Sequence, residues 1–105
     1  MEREKGIMPG YFLLLKARED KAEEVVKALR KTITNIKKES GTITWFGFRI
    51  SETEFGTFDV FLDEESRVLH KEEGMKRIEK LLPLIDKDSI VFKEIYIISS
   101  KPDLP

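Results

Sequence analysis

Residues 39–70 read ESGTITWFGFRISETEFGTFDVFLDEESRVLH, and this stretch decides the fold. Gly41, directly after a serine, is typical of the end of a helix. Residues 42–50 and 56–62 are rich in aromatic and β-branched side chains and flank the polar turn SETE, a pattern that predicts a β-hairpin. Asp63, followed by two glutamates, is a typical N-cap. The stretch therefore predicts the end of one helix, two paired strands and the start of a second helix.

The flanking sequence predicts one more helix and two more strands. YFLLL at residues 11–15 suits a buried strand, and IVFKEIYIIS at residues 90–99 suits another. Apolar residues at helical spacing between Asp20, an expected N-cap, and Gly41 predict the first helix. The second helix should run from Asp63 through Gly74, with Pro83 ending its regular part. The fold class is therefore α+β: a ferredoxin-like βαββαβ unit with a four-stranded antiparallel sheet.

The strands carry apolar side chains on both faces, although two helices can cover only one face of the sheet. An uncovered apolar face predicts a homodimer formed through that face. Strand parity assigns the hairpin residues to two faces. The uniformly apolar set, expected at the dimer interface, is Phe46, Phe48, Ile50, Phe58, Val60 and Leu62. The mixed set, expected beneath the helices, is Trp45, Gly47, Arg49, Thr57, Asp59 and Phe61.

The order of these landmarks resembles the antibiotic biosynthesis monooxygenase-like family of small dimeric α+β barrel proteins. The matching positions, within residues 10–99, are Glu39 and Gly41 for the usual Glu-Pro-Gly, then Trp45, Arg49, Asp59, Phe61 and His70. The resemblance implies a two-fold dimer closing into a dimeric α+β barrel. It also implies cofactor-independent oxidation of a small aromatic quinol or polyphenol by molecular oxygen.

Six residues are candidates for the site. His70, the only histidine, is the expected base or proton shuttle, because its ordinary pKa lies near neutrality. Arg49 is expected to orient a substrate oxygen and Asp59 to hold Arg49, both as catalytic residues. A pocket wall is expected from Trp45, Gly47 and Phe61. The alternatives are a cross-strand salt bridge between Arg49 and Asp59, a helical His70 without a role, and a Trp45 that only fills the core.

Composition excludes several classes of function. The 105 residues carry 19 basic and 20 acidic side chains, so the net charge of −1 predicts no nucleic-acid or membrane partner. There is no cysteine and one histidine, so neither a disulfide nor a metal site is expected, and the resemblance implies no other cofactor. The expected location is cytoplasmic, and the abundance of Lys and Glu resembles thermophile proteins. Residues 1–9 are expected to form a flexible lead and residues 100–105 a tail.

The residues bear on three alternative functions. Haem degradation within the same superfamily would require an asparagine on the first strand and a tryptophan on the second helix, which this sequence lacks. RNA recognition through WFGFRI is disfavoured because the run lies on the second strand of a chain without net positive charge. A dimeric protein that binds a small hydrophobic ligand without turnover remains the alternative to the monooxygenase.

Overall fold

The computed structural model describes residues 7–105 and has the expected βαββαβ order. The elements are β1 (Met8–Ala17), α1 (Ala22–Ile36), β2 (Thr42–Arg49), β3 (Glu54–Phe61), α2 (Glu64–Leu81), a 3₁₀ turn (Leu82–Leu84) and β4 (Ile85–Ile97). The strands form one sheet in the order β2-β3-β1-β4, and every neighbouring pair is antiparallel. The predicted ferredoxin-like α+β architecture is confirmed.

The first strand begins earlier than expected, at Met8. Residues 1–6 of the expected lead lie outside the described part of the chain. Met8 and Pro9 are buried and pair with Ile97 and Tyr96 of β4, so they belong to the sheet and not to a flexible lead. The long partner strand β4 supplies the pairing that the local sequence does not reveal.

Helix α1 differs from the prediction at both ends. Asp20 is not its N-cap: it has a φ of 64°, in the left-handed region that Asp tolerates, and Lys21 precedes the helix without a side-chain cap. The helix ends at Ile36, four residues before Ser40. Its backbone then tightens into turns in which Lys38 and Glu39 donate to carbonyls three residues back. These turns bring Glu39 to the start of β2.

The second half of the chain begins as predicted. The backbone N–H of Ser66 donates to the Asp63 carboxylate at 2.8 Å, so Asp63 is the N-cap of α2. Strand β4 begins at Ile85, five residues before the predicted start. Ile85 is fully buried, while the polar residues 86–88 that follow it are exposed at the edge of the sheet. An edge strand tolerates such residues, which is why the polar run concealed the strand.

The sheet has one face covered by the helices and one open face. Phe12 lies opposite Phe58 on β3, and Phe58 lies opposite Phe46 on β2, so these rings share the open face. Phe48, beside them, packs its ring over Gly56, where an added side chain would collide with it. The rings of Phe46 and Phe58 stack at 6.5 Å, yet Phe46 is 58% exposed. Two helices therefore leave an aromatic surface uncovered, as the strand pattern predicted.

Candidate functional site

A cavity of about 430 Å³ lies between the covered face of the sheet and helix α2. Its size is within the usual range for small-molecule sites. Apolar side chains make up most of its wall, among them Tyr11, Leu13, Trp45, Phe55, Met75 and Phe92. Asp59, His70 and Arg77 are among the few polar side chains that reach it. The cavity therefore combines an apolar interior with a small group of charged residues.

Two of these polar side chains, Asp59 and His70, form a chain of hydrogen bonds with Glu39, which lies outside the cavity wall. His70 places Nε2 3.1 Å from Oδ2 of Asp59 and Nδ1 2.6 Å from Oε1 of Glu39. The other oxygen of Asp59 accepts from the backbone N–H of Tyr11 at 3.1 Å. Glu39 also accepts from the Thr42 hydroxyl at 2.7 Å. Each carboxylate is thus held in place by a second contact.

The imidazole of His70 is positioned to carry a positive charge. Ionised carboxylates only accept hydrogen bonds, so each ring nitrogen that faces one must donate. Burial by itself lowers the pKa of His70, but hydrogen bonds to Asp59 and Glu39 and their negative charges outweigh it and raise that pKa above 6.5. Burial likewise tends to raise the pKa of Glu39, but its bonds to His70 and Thr42 lower it below 4.5. Both contacts therefore favour the protonated form of the imidazole, which lies between the two carboxylates.

Of the three expected wall residues, only one lines the cavity. Trp45 does so, with its indole over Gly47, where an added Cβ would come within 2.9 Å of the ring. Gly47 is exposed and outside the cavity, so its role is to make room for the indole. Phe61 is fully buried behind His70, with ring centroids 4.8 Å apart. Phe61 fixes the orientation of the imidazole and forms no part of the wall.

The expected contact between Arg49 and Asp59 is wrong. The backbone N–H of Ile50 donates to the Glu54 carbonyl, and this tight turn places Arg49 opposite Phe55 and Asp59 opposite Trp45. Four strand positions therefore separate the two residues, a distance of about 13 Å. The Arg49 guanidinium instead lies 3.3 Å from Glu23.

The remaining bonds of Arg49 hold the hairpin turn. Its guanidinium donates to the backbone carbonyls of Ser51 and Glu52, at 3.1 and 2.7 Å. It is absent from the cavity wall formed by residues 7–105. Of the three expected catalytic residues, the structure brings together His70 and Asp59 and leaves out Arg49.

Arg77, which the sequence did not single out, reaches the cavity from α2. Its Nη2 is 3.6 Å from Oε2 of Glu39, close enough for an ion pair but too far for a hydrogen bond. This nitrogen is buried, and within the described residues it has no hydrogen-bond acceptor. Arg77 therefore places a spare donor beside the carboxylate that holds His70.

Arg67 organises a second polar cluster one turn before His70. Its buried guanidinium donates to the Tyr96 hydroxyl at 3.0 Å and pairs with Glu64 at 2.7 Å. It also donates to the Gly10 carbonyl and lies over the ring of Tyr11, 5.4 Å from its centroid. Burial raises the pKa of the Tyr11 phenol. This cluster fastens α2 to the sheet.

Two classes of feature were not found in the described part of the chain. Between residues 7 and 105, no three His, Asp or Glu side chains are grouped so that they could hold a metal ion. Over the same residues, neither helix is long and apolar enough to cross a membrane.

Several solved structures share this fold. NE2512 of Nitrosomonas europaea, a protein of unknown function, superposes with a TM-score of 0.84 at 22% identity, over 97% of this chain and 98% of its own. A second protein of that organism, provisionally named an antibiotic biosynthesis monooxygenase, superposes with a TM-score of 0.75 at 15% identity, over 96% of this chain and 98% of its own. A mutant of SnoaB, a cofactor-independent oxygenase of Streptomyces nogalater, superposes with a TM-score of 0.72 at 11% identity, over 90% of this chain and 97% of its own.

No family model and no curated protein matches the sequence. At identities this low, the structural likenesses concern the fold alone. They confirm the expected fold, that of the antibiotic biosynthesis monooxygenase-like proteins.

The site residues that sequence reasoning missed are Glu39 and Arg77, which contact each other. Glu39 is 31 residues from His70 along the chain, and its contact with His70 depends on the turns that end α1. Arg77 lies two helical turns after His70 and so shares its face of α2, which is the one local signal that could have revealed it.

Proposed function

We propose that this chain, whose fold is that of the antibiotic biosynthesis monooxygenase-like proteins, binds a small aromatic molecule in the cavity and oxidises it with molecular oxygen without a cofactor. The observation that carries the proposal is the Asp59–His70–Glu39 chain of hydrogen bonds, in which the buried Asp59 and His70 side chains reach the wall of an apolar cavity. A buried proton-transfer group beside an apolar cavity is what deprotonation of a phenol requires.

The proton relay is the first step of the proposed mechanism. A phenolic hydroxyl beside the His70–Asp59 pair gives up its proton to that pair. Glu39 holds the far ring nitrogen, and its side chain is 23% exposed, whereas that of Asp59 is 3% exposed. A protonated imidazole cannot take another proton at Nε2, so as Asp59 accepts the phenolic proton, His70 releases its Nδ1 proton to Glu39, which passes it to water. His70 acts as the shuttle, and Asp59 is the first acceptor.

The oxidation then uses the electrons of the substrate. For a phenol that becomes a quinone, one oxygen atom of O₂ enters the ring as the new carbonyl. The second oxygen atom leaves as water with two hydrogens, one from the hydroxyl and one from the ring carbon. The apolar wall, with Trp45 and Phe92 among its members, keeps bulk water from the intermediate.

Oxygen uptake tests this proposal. Purified protein is mixed with a panel of phenols and quinols in buffer that contains a chelator and neither flavin nor haem. Uptake above the uncatalysed rate, with one quinone formed per O₂ consumed, would support the proposal. Activity that returns only on addition of iron, copper or flavin would contradict it.

A binding protein without turnover is the second candidate. It is favoured by the same imidazolium, because both nitrogens of His70 are already engaged by carboxylates. Calorimetry that detects tight binding of a phenol, together with no oxygen uptake for that phenol, would select this candidate.

We also propose that a second copy of the chain covers the open face. Support comes from Phe12, Phe46 and Phe58, which form a continuous aromatic surface that neither helix covers. A two-fold pairing places the same surface on both sides of the interface, so apolar meets apolar. Covering this surface would remove an apolar patch that is unusual on a monomer in water.

A further inference from the structure

Helix α2 has a glycine in its interior, Gly74, at the point where the helix lines the cavity. Glycine destabilises a helix interior relative to alanine, because it loses more backbone freedom on folding. Space does not require a glycine here. A Cβ at this position would lie 3.8 Å from Nη2 of Arg77 and 3.9 Å from Nε2 of His70, both ordinary contact distances. The missing side chain therefore leaves a gap the size of a methyl group between two charged groups.

One of these two groups has hydrogen-bonding capacity to spare. His70 Nε2 is engaged by Asp59 at 3.1 Å. Arg77 Nη2 is buried and lacks an acceptor within residues 7–105, since its nearest carboxylate oxygen, on Glu39, is 3.6 Å away. A buried N–H without an acceptor is costly, and native proteins seldom leave one. An acceptor oxygen supplied by a ligand would satisfy it.

The local charges indicate what kind of oxygen fits. Two carboxylates, Asp59 and Glu39, face two cations, His70 and Arg77, so the cluster is balanced before a ligand binds. Because the charges already balance, a ligand group with a full localised charge fits poorly. Because the free group is an N–H, the ligand must offer an acceptor and not another donor. The oxygen of a carbonyl or of a phenolate meets both requirements.

We propose that Gly74 and Arg77 form an oxygen subsite in which the ligand's carbonyl or phenolate oxygen occupies the gap and accepts a hydrogen bond from Arg77 Nη2. The subsite rests on the proposed function, because it assumes that the cavity holds an aromatic ligand. The subsite specifies that the ligand carries an acceptor oxygen. It also specifies that this oxygen lies next to the His70–Asp59 pair. Gly74 then determines specificity by the room it leaves, and Arg77 by the bond it donates.

Two probes of matched shape separate this subsite from general apolar binding. 1-Tetralone carries a carbonyl that only accepts hydrogen bonds, and tetralin lacks it. Affinities are measured by equilibrium dialysis on the wild type, Gly74→Ala, Arg77→Met and the control Lys76→Met. Lys76 is exposed on α2 and lies outside the cavity wall. Melting temperatures are recorded for every variant.

The wild type should bind 1-tetralone about tenfold more tightly than tetralin, the effect of about one buried hydrogen bond. Arg77→Met should abolish that preference while retaining tetralin binding. Gly74→Ala should raise the melting temperature by about 4 °C, because alanine favours the helix, and still weaken 1-tetralone binding by about fivefold or more. This combination distinguishes a filled gap from damage to the fold. Lys76→Met should leave both affinities unchanged.

Equal affinity of the wild type for the two probes would overturn the subsite and leave the cavity's binding role intact. Retained preference for 1-tetralone in both Gly74→Ala and Arg77→Met would also overturn it. If neither probe binds to the wild type, the proposed function itself fails, and the subsite fails with it.

Discussion

Oδ2 of Asp59 lies 3.1 Å from Nε2 of His70, and both side chains are almost fully buried at the cavity wall. With Glu39 on the other ring nitrogen, the imidazole has an anionic acceptor on each side. This arrangement predicts a protonated His70 at neutral pH, and it links folding stability, proton transfer and ligand binding through one residue.

The first prediction concerns pH and stability. The raised pKa of His70 means that its ion pairs contribute fully below pH 6.5 and that this contribution is lost as pH rises through the folded-state pKa. The lowered pKa of Glu39 means that its contribution is full above pH 4.5 and is lost as pH falls through its folded-state pKa. Urea unfolding of the wild type and His70→Gln at a series of pH values should show the largest stability difference between pH 4.5 and 6.5. A difference that grew from pH 6.5 to pH 9 would contradict the ion-pair account.

The second prediction concerns the pKa of His70 directly. Asp59→Asn removes one of the two charges that raise it, so the pKa of His70 should fall. Because His70 is the only histidine, a proton NMR titration of untagged protein gives a single imidazole signal to follow. Glu52→Gln, at an exposed turn position away from the cavity, is the control and should leave the midpoint unchanged. An unchanged midpoint in Asp59→Asn would mean that the 3.1 Å contact carries no charge interaction.

The third prediction concerns the open face. Phe46→Glu should convert a homodimer into a monomer, because it would bury an unpaired charge in the proposed interface. Phe46 is a sharper test than Phe48, since Phe46 is 58% exposed in the single chain, while Phe48 packs over Gly56. Leu69→Glu is the matched control, as Leu69 is also 58% exposed but lies on α2. Sedimentation velocity of the wild type and the two variants at micromolar concentration measures whether each is a dimer or a monomer. A monomeric wild type would remove the proposed dimer.

The fourth prediction concerns Arg49. Because its guanidinium binds Glu23 and two turn carbonyls about four strand positions from Asp59, it should contribute little to catalysis. Arg49→Met replaces the guanidinium, whose Cζ lies 5.2 Å from the centroid of the Phe55 ring, by an unbranched apolar side chain, and should change kcat/KM by less than about twofold. A loss of about 100-fold without a change in melting temperature would restore Arg49 to the site.

The sequence was sufficient for the features that depend on local patterns. The order of elements, the Asp63 cap and the aromatic faces of the hairpin follow from periodicity and capping preferences, which act over a few residues. The register of the hairpin did not follow, because a tight turn at Ile50 and an irregularity near Thr42 decide which residues face each other. Arg49 and Asp59 were therefore paired wrongly.

The site was predictable only in part for the same physical reason. His70 and Asp59 were selected by residue type, and the structure places them together. Their actual partners, Glu39 and the backbone of Tyr11, come from distant elements and become neighbours only when α1 ends early and β1 pairs with β3. Helical spacing places Arg77 on the His70 face of α2, but the sequence does not reveal the unsatisfied N–H of Arg77 or the empty space at Gly74.

The most direct test of the central claim compares oxygen uptake and ligand affinity in the wild type and His70→Gln, using one phenol that the wild type oxidises. If His70 and Asp59 move the substrate proton, His70→Gln should lower kcat by about 100-fold while affinity measured by calorimetry changes by less than about threefold. Lys76→Gln, exposed on the same helix, should match the wild type in both measurements. Full activity in a folded His70→Gln variant would contradict the claim that this residue transfers the proton.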